Sequence, residues 1–277
     1  LALGKRKLVQ LILAVLSNLY LTGFWQGKIY TGDSKRLCSP GLNCYSCPGA
    51  IASCPIGALQ AVIGSGVATF SFYVTGLLTI FGVLFGRLIC GWACPFGLFQ
   101  ELLNKIPSPK LVTIKGIKYL KYLKYLFLAF SVLIFPFIIA TLTGYSDPYF
   151  CKYICPTGTL EGGIPLVLLN NGLRDTLGFL YVWKMFILAI TIIMSIFIFR
   201  PFCRFVCPLG AIYGLFNRVS FYKIRFNSNL CISCGNCTRA CESNLEVIKS
   251  PNNPECIRCG DCIKSCPKKA LSIGIDL

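Results

Sequence analysis

Two matching cysteine runs close the chain: Cys231-x2-Cys234-x2-Cys237-x3-Cys241 and Cys256-x2-Cys259-x2-Cys262-x3-Cys266-Pro267. A tight loop presents three thiolates to one 4Fe–4S cubane only if they recur at every third residue, and a fourth cysteine after a longer gap points away to a neighbouring cluster. The spacing therefore assigns Cys231, Cys234, Cys237 and Cys266 to one cluster, and Cys256, Cys259, Cys262 and Cys241 to the other. Zinc also takes C-x2-C pairs, but two complete four-cysteine copies favour the pair of cubanes. Glu242 stands where a proline is expected after Cys241.

The remainder reads as a membrane protein. Mean hydropathy is +0.67, and charged residues make up 13% of the chain, well under the share usual in a soluble domain. Apolar stretches at residues 8–24, 67–86, 123–143 and 177–199 approach the roughly 20 helical residues that cross a hydrocarbon core of about 30 Å. Buried core helices are the competing reading, but too few polar faces remain for it, so four spans are expected. No A-x-A-like cleavage site follows the first stretch, which is therefore kept as a span and not a signal peptide.

Basic residues set the expected orientation. Lys5, Arg6 and Lys7 precede the first span; Lys105, Lys110, Lys115, Lys118, Lys121 and Lys124 separate the second from the third; Arg200, Arg204, Arg218, Lys223 and Arg225 follow the fourth. The other two loops hold only Lys28, Lys35 and Arg36, then Lys152 and Arg174. Short loops rich in Lys and Arg stay cytoplasmic. The expectation is a multi-pass protein of the cytoplasmic membrane with both termini inside. The formal charge of +17 is then mostly juxtamembrane, where anionic headgroups and not nucleic acid are the partner, and each cubane with four thiolates offsets it by about −2.

The other ten cysteines fall at span ends in a repeated motif, C-x3-C-P-x-G. Its copies are Cys90 to Gly97, Cys151 to Gly158 and Cys203 to Gly210, with a partial copy at Cys54-Pro55-Ile56-Gly57 and Cys38, Cys44 and Cys47 upstream. Each is followed by a short apolar stretch suited to the interface or to re-entry. With the orientation above, Cys90, Cys94, Cys203 and Cys207 lie on the inner side, the four thiols one cubane requires. Six cysteines lie outside. Cys47, Cys54, Cys151 and Cys155 are the favoured outer ligands, with Cys38 and Cys44 bonded to each other; a loop cluster on Cys38, Cys44, Cys47 and Cys54 is the alternative. Disulfides compete outside and buried thiols anywhere.

This arrangement resembles the NapH/NosR-type membrane ferredoxin family over about residues 5 to 270. The resemblance rests on the spans, on the C-x3-C-P motifs at Cys90/Cys94 and Cys203/Cys207, and on the eight C-terminal cysteines. The family includes a quinol-oxidising subunit of periplasmic nitrate reduction and the membrane half of a nitrous-oxide reductase activator. The motif at Cys151/Cys155 and the four cysteines from Cys38 to Cys54 depart from its pattern and suggest metal centres on both faces.

The expected fold is an α-helical membrane protein with four transmembrane helices and re-entrant or interfacial segments over residues 1–222. A small α+β bacterial-ferredoxin-like domain over 223–277 completes it. The expected function is an iron–sulfur electron-transfer subunit linking a cytosolic ferredoxin-like donor to an extracytoplasmic flavin, haem or reductase protein, within a membrane redox complex. Alternatives are a quinol dehydrogenase with quinone as substrate, and a maturation or regulatory electron donor. The chain contains no histidine, so it offers haem no His ligand. Lys184 reads as a snorkelling residue; Glu101, Asp147 and Glu161 read as interfacial polar residues with proton transfer as the functional alternative. Pro136 should kink the third span, and Gly82-x3-Gly86 should allow close packing.

Overall fold

A computed structural model describes residues 4–65, 72–110 and 117–275. Residues 67–71 of the second expected span and Lys115 lie outside them.

Among the described residues two helices are long and apolar enough to cross a membrane, Leu123–Thr143 and Phe179–Phe197. Only 22% and 17% of their most apolar windows are buried, whereas a core helix of a soluble protein is mostly buried. Leu142 and Phe179 are 77% and 82% exposed, an apolar outer surface that suits lipid. Pro136, which lacks an N–H, follows a π-helical segment at Leu128–Ile134. The wide turn absorbs the missing backbone bond inside a helix that continues to Thr143.

The first expected span is corrected. Its helix, Lys5–Ser17, has 13 residues, about 20 Å, and ends where Ser17 Oγ and Asn18 Nδ2 bond back to Leu13 and Ala14 carbonyls at 2.7 and 2.9 Å. Such side chains offer the backbone an alternative to the helical ladder. The described part of the second, Phe72–Phe85, has 14 residues, about 21 Å. Gly82 of that helix has no room for a side chain, because a Cβ there would lie 2.5 Å from the Phe216 ring.

Between these helices sit short ones, each opened by a C-P-x-G sequence: Pro55–Ile63, Pro95–Asn104, Pro156–Gly158 and Pro208–Phe216. The 55–63 helix packs on the 123–143 span and the 95–104 helix on the 179–197 span. The short helices and the loop at Leu42 form the central core with Phe96, Phe150, Phe202 and Tyr213. The C-terminal lobe has a second core around Ile224, Val247 and Leu271. There β1 (Tyr222–Phe226) pairs antiparallel with β2 (Leu271–Ile275), with Ile224 opposite Ile273.

Candidate metal centres

The four C-P-x-G copies share one local structure. Cysteine occupies the N-cap in extended conformation, and proline takes the first helical position, where its missing N–H and fixed φ cost nothing. In two of the copies the sulfur also accepts the N–H of the glycine three residues on. The distance is 3.4 Å at Cys94–Gly97 and at Cys207–Gly210, whereas Cys54 and Cys155 hold the same N-cap position without a side-chain capping bond. Proline therefore starts a helix after the cysteine.

Cys90, Cys94, Cys203 and Cys207 are buried and lie within mutual electrostatic reach. Gln100 Nε2 donates to Cys203 Sγ at 3.0 Å, and its Oε1 accepts the Phe202 N–H at 3.1 Å. Around this group stands a charged shell. Glu101 is buried and held by Arg6 at 2.7 and 3.0 Å and by Arg200 Nε at 3.0 Å, while Arg200 also reaches the Cys90 carbonyl. Burial alone would raise the Glu101 carboxyl; Arg200 and Arg6 hold it below the ordinary carboxylate range. Glu101 is thus an internal ion-pair partner, not an interfacial residue.

The outer cysteines fall into two neighbourhoods. Cys151 lies within electrostatic reach of Cys155, Cys54 and Cys44, which brings Cys44, one of the two alternatives, beside the other three. Cys47 turns away, its sulfur 3.5 Å from Asn18 Oδ1. The reason is a tight turn in which Cys47 N–H bonds the Cys44 carbonyl, sending the two side chains to different neighbours. Cys38 and Cys44 are both free thiols, so no disulfide joins them. Gln60 Nε2 donates to Cys151 Sγ at 3.3 Å and Gln60 Oε1 accepts the Phe150 N–H at 2.9 Å. A Cβ added at Gly158 would lie 3.4 Å from Cys44 Sγ, and one at Gly57 would lie 3.9 Å from Cys151 Sγ, so the two glycines keep a cradle open between the sulfurs.

Lys184 does not snorkel: its ammonium donates to the Cys151 carbonyl at 2.8 Å and faces the cradle beside Gly158. Glu161 is partly buried and accepts the Cys44 N–H at 2.8 Å; desolvation pushes its carboxyl up to about 8 against that hydrogen bond. Asp147 instead pairs with Lys152 at a half-exposed site.

The two groups lie close together. The Leu42 carbonyl oxygen is 4.0 Å from Cys94 Sγ, and Cys44 follows two residues later, at most about 7 Å of chain. The rings of Phe150 and Phe202, which precede Cys151 and Cys203, have centroids 6.4 Å apart. Tyr213, fully buried, lies within electrostatic reach of Cys90 and Cys94 on one side and Cys38 and Cys54 on the other; its hydroxyl donates to the Pro40 carbonyl at 3.0 Å.

In the C-terminal lobe one cavity is lined by Cys231, Cys234, Cys237 and Cys266, and a second by Cys241, Cys256, Cys259 and Cys262. These are the two sets the spacing selects. The residues flanking the middle cysteine of each run, Ser233 and Gly235, then Arg258 and Gly260, adopt positive φ, which coils each loop round its cavity. Among the described residues no three donors converge on one point as a single tetrahedral ion requires. Spaced thiols around a cavity suit the bulk of a cubane.

One buried arginine joins the lobe to the inner group. Arg87 donates to the Pro254 carbonyl and Glu255 at 2.8 Å each and to the Cys203 carbonyl at 3.0 Å. Lys124 completes the pair with Glu255 at 2.5 Å, and Trp92 Nε1 donates to the Arg258 carbonyl at 3.1 Å. Gly91 must lack a side chain, since a Cβ would lie 2.3 Å from the Ile257 carbonyl oxygen. Sequence reasoning missed Arg87, Gln60 and Gln100. The one available signal was that both glutamines stand six residues after a C-P-x-G cysteine.

Comparison with known proteins follows the same lines. Residues 67–113, 128–164 and 180–229 match the 4Fe-4S binding domain, and residues 223–267 match the 4Fe-4S dicluster domain. An uncharacterised protein of Methanocaldococcus jannaschii is 30% identical over 71% of this chain and 75% of its own length. YccM of Escherichia coli, named for electron transport, is 29% identical over 61% of this chain and 45% of its own. The regulatory protein NosR of Stutzerimonas stutzeri is 29% identical over 60% of this chain, which is 21% of NosR. No solved structure matches the chain.

Proposed function

We propose, from the premise that this chain belongs to the NapH/NosR-type membrane ferredoxin family and is an iron–sulfur electron-transfer protein, that it carries electrons across the membrane between a cytosolic ferredoxin-like donor and an acceptor outside. Its ligand sets are Cys231, Cys234, Cys237 and Cys266; Cys241, Cys256, Cys259 and Cys262; Cys90, Cys94, Cys203 and Cys207; and Cys44, Cys54, Cys151 and Cys155. 4Fe–4S clusters bound there would supply one-electron chemistry. Both termini face the cytoplasm by the distribution of Lys and Arg, which makes the C-terminal lobe the donor side.

The closeness of the two membrane-domain cysteine groups carries this reading. A hydrocarbon core of about 30 Å is too wide for a single short electron hop between its surfaces. Here the Leu42 to Cys44 segment keeps Cys94 Sγ within about 11 Å of Cys44, and Phe150, Phe202 and Tyr213 exclude water from the gap. Arg87 fixes the Cys256 loop against the backbone of Cys203.

The test uses proteoliposomes with an impermeant oxidant trapped inside and reduced ferredoxin added on the side of the C-terminal lobe. Reduction of the trapped oxidant without added quinone is expected. Reduction only after menaquinone is supplied would replace this reading with a quinol dehydrogenase. One observation bears on that second reading: a cavity of ≈ 280 Å³ lined by Glu101, Lys105, Arg204 and Glu242 among others offers charged and polar partners for a quinone headgroup, though it is smaller and less apolar than most ligand pockets.

A further inference from the structure

Gln60 and Gln100 make the same three bonds in the two halves of the membrane domain. Each amide nitrogen donates to a cysteine sulfur, Gln60 to Cys151 at 3.3 Å and Gln100 to Cys203 at 3.0 Å. That nitrogen also donates to the carbonyl four residues back, Ile56 or Phe96, at 3.3 Å in both cases. Each amide oxygen accepts the N–H of the phenylalanine preceding that same cysteine, Phe150 at 2.9 Å or Phe202 at 3.1 Å. Both glutamines are fully buried, both stand six residues after a C-P-x-G cysteine, and both cross from the first motif of their half to the second. A buried amide costs free energy unless all its groups are paired, and these pair with the backbone and sulfur of one ligand.

We propose that Gln60 and Gln100 are matched positioning residues, each orienting one cysteine ligand and holding its centre at a higher potential through the N–H to sulfur bond. This rests on the cluster reading above. A hydrogen bond to a ligand sulfur withdraws electron density from it and so favours the reduced, more negative state of the centre, one of the ways a protein tunes such potentials. Gln60 acts on the outer centre and Gln100 on the inner, so each half carries its own setting device.

The experiment is a redox titration of purified, iron-loaded protein followed by electron paramagnetic resonance, comparing wild type with Gln60→Leu and Gln100→Leu. Each variant is expected to move one signal to lower potential, a different one in each case, and to leave the signals of the C-terminal lobe in place. Should leucine empty its site, Gln60→Met or Gln100→Met, which keeps the side-chain length without the donor, carries the test. Variants that stay loaded with unshifted potentials, or that both move the same signal, overturn the inference while the cluster reading stands. Wild-type protein lacking redox-active centres beyond the two of the C-terminal lobe overturns both.

Discussion

The inner and outer cysteine groups are built on one plan and furnished differently. Both take two C-P-x-G cysteines, one further cysteine four residues before the second of these, and a glutamine that ties that cysteine to the first helix. They diverge in the fourth sulfur and in the charges. The inner group draws Cys90 from the same C-x3-C turn as Cys94; the outer group draws Cys44 from a loop ten residues ahead of Cys54. Arg6 and Arg200 with Glu101, and Arg87 with Glu255, surround the inner group, and the second pair binds the C-terminal lobe to it, whereas the outer group has Lys184 and Glu161. At the sixth position after the later C-P-x-G cysteine the outer half has Glu161 and the inner half Tyr213. The lesson is that the C-P-x-G turns and the glutamine define the cradle, while the fourth cysteine and the surrounding charges adapt each copy to what it adjoins.

The largest expected effect breaks the comparison at its weakest equivalence. Cys44→Ser should lower iron from about sixteen to about twelve per chain, at four irons per cluster, while Cys47→Ser leaves it unchanged; iron analysis decides, and iron loss in the Cys47 variant would return that residue to the ligand set. Next come the carboxylates peculiar to the inner side. Glu255→Ala strands Arg87 and Lys124 in the interior, at a cost of about 3–5 kcal/mol for an uncompensated buried charge, visible as a lowered unfolding midpoint in detergent. Asp147→Ala, at the half-exposed outer pair, should be nearly silent.

A smaller effect follows from pH. Burial would raise the Glu255 carboxyl, but Arg87 and Lys124 hold it below its ordinary value, as Arg200 and Arg6 do Glu101. A carboxyl with a depressed folded-state pKa contributes stability that is fully present above its unfolded value, about 4.3, and lost as pH falls through the folded one. Thermal melts should therefore be flat between neutral pH and about 5 for these pairs and decline in stronger acid, with the Glu255→Ala variant showing less decline. Smallest is Lys184→Met, which removes the cation facing the outer cradle: it should lower the outer potential and leave the inner one unmoved, and an equal shift in both signals would erase the distinction between the two sites.

The sequence alone determined the chemistry. Cysteine spacing in the last two runs selected the two sets that line the C-terminal cavities, because local loop geometry depends on residues three apart, and the C-P-x-G repeat marked where helices begin. Hydropathy found the two long spans but overestimated the first, whose end depends on Ser17 and Asn18 bonding their own backbone. Only the tertiary structure decided which outer cysteine faces Cys151, that Lys184 turns inward, and that Arg87 and two glutamines tie ligands from separate motifs together. Contacts across some hundred residues of chain leave no period in the sequence to read. They follow from which helix faces the packed core brings together.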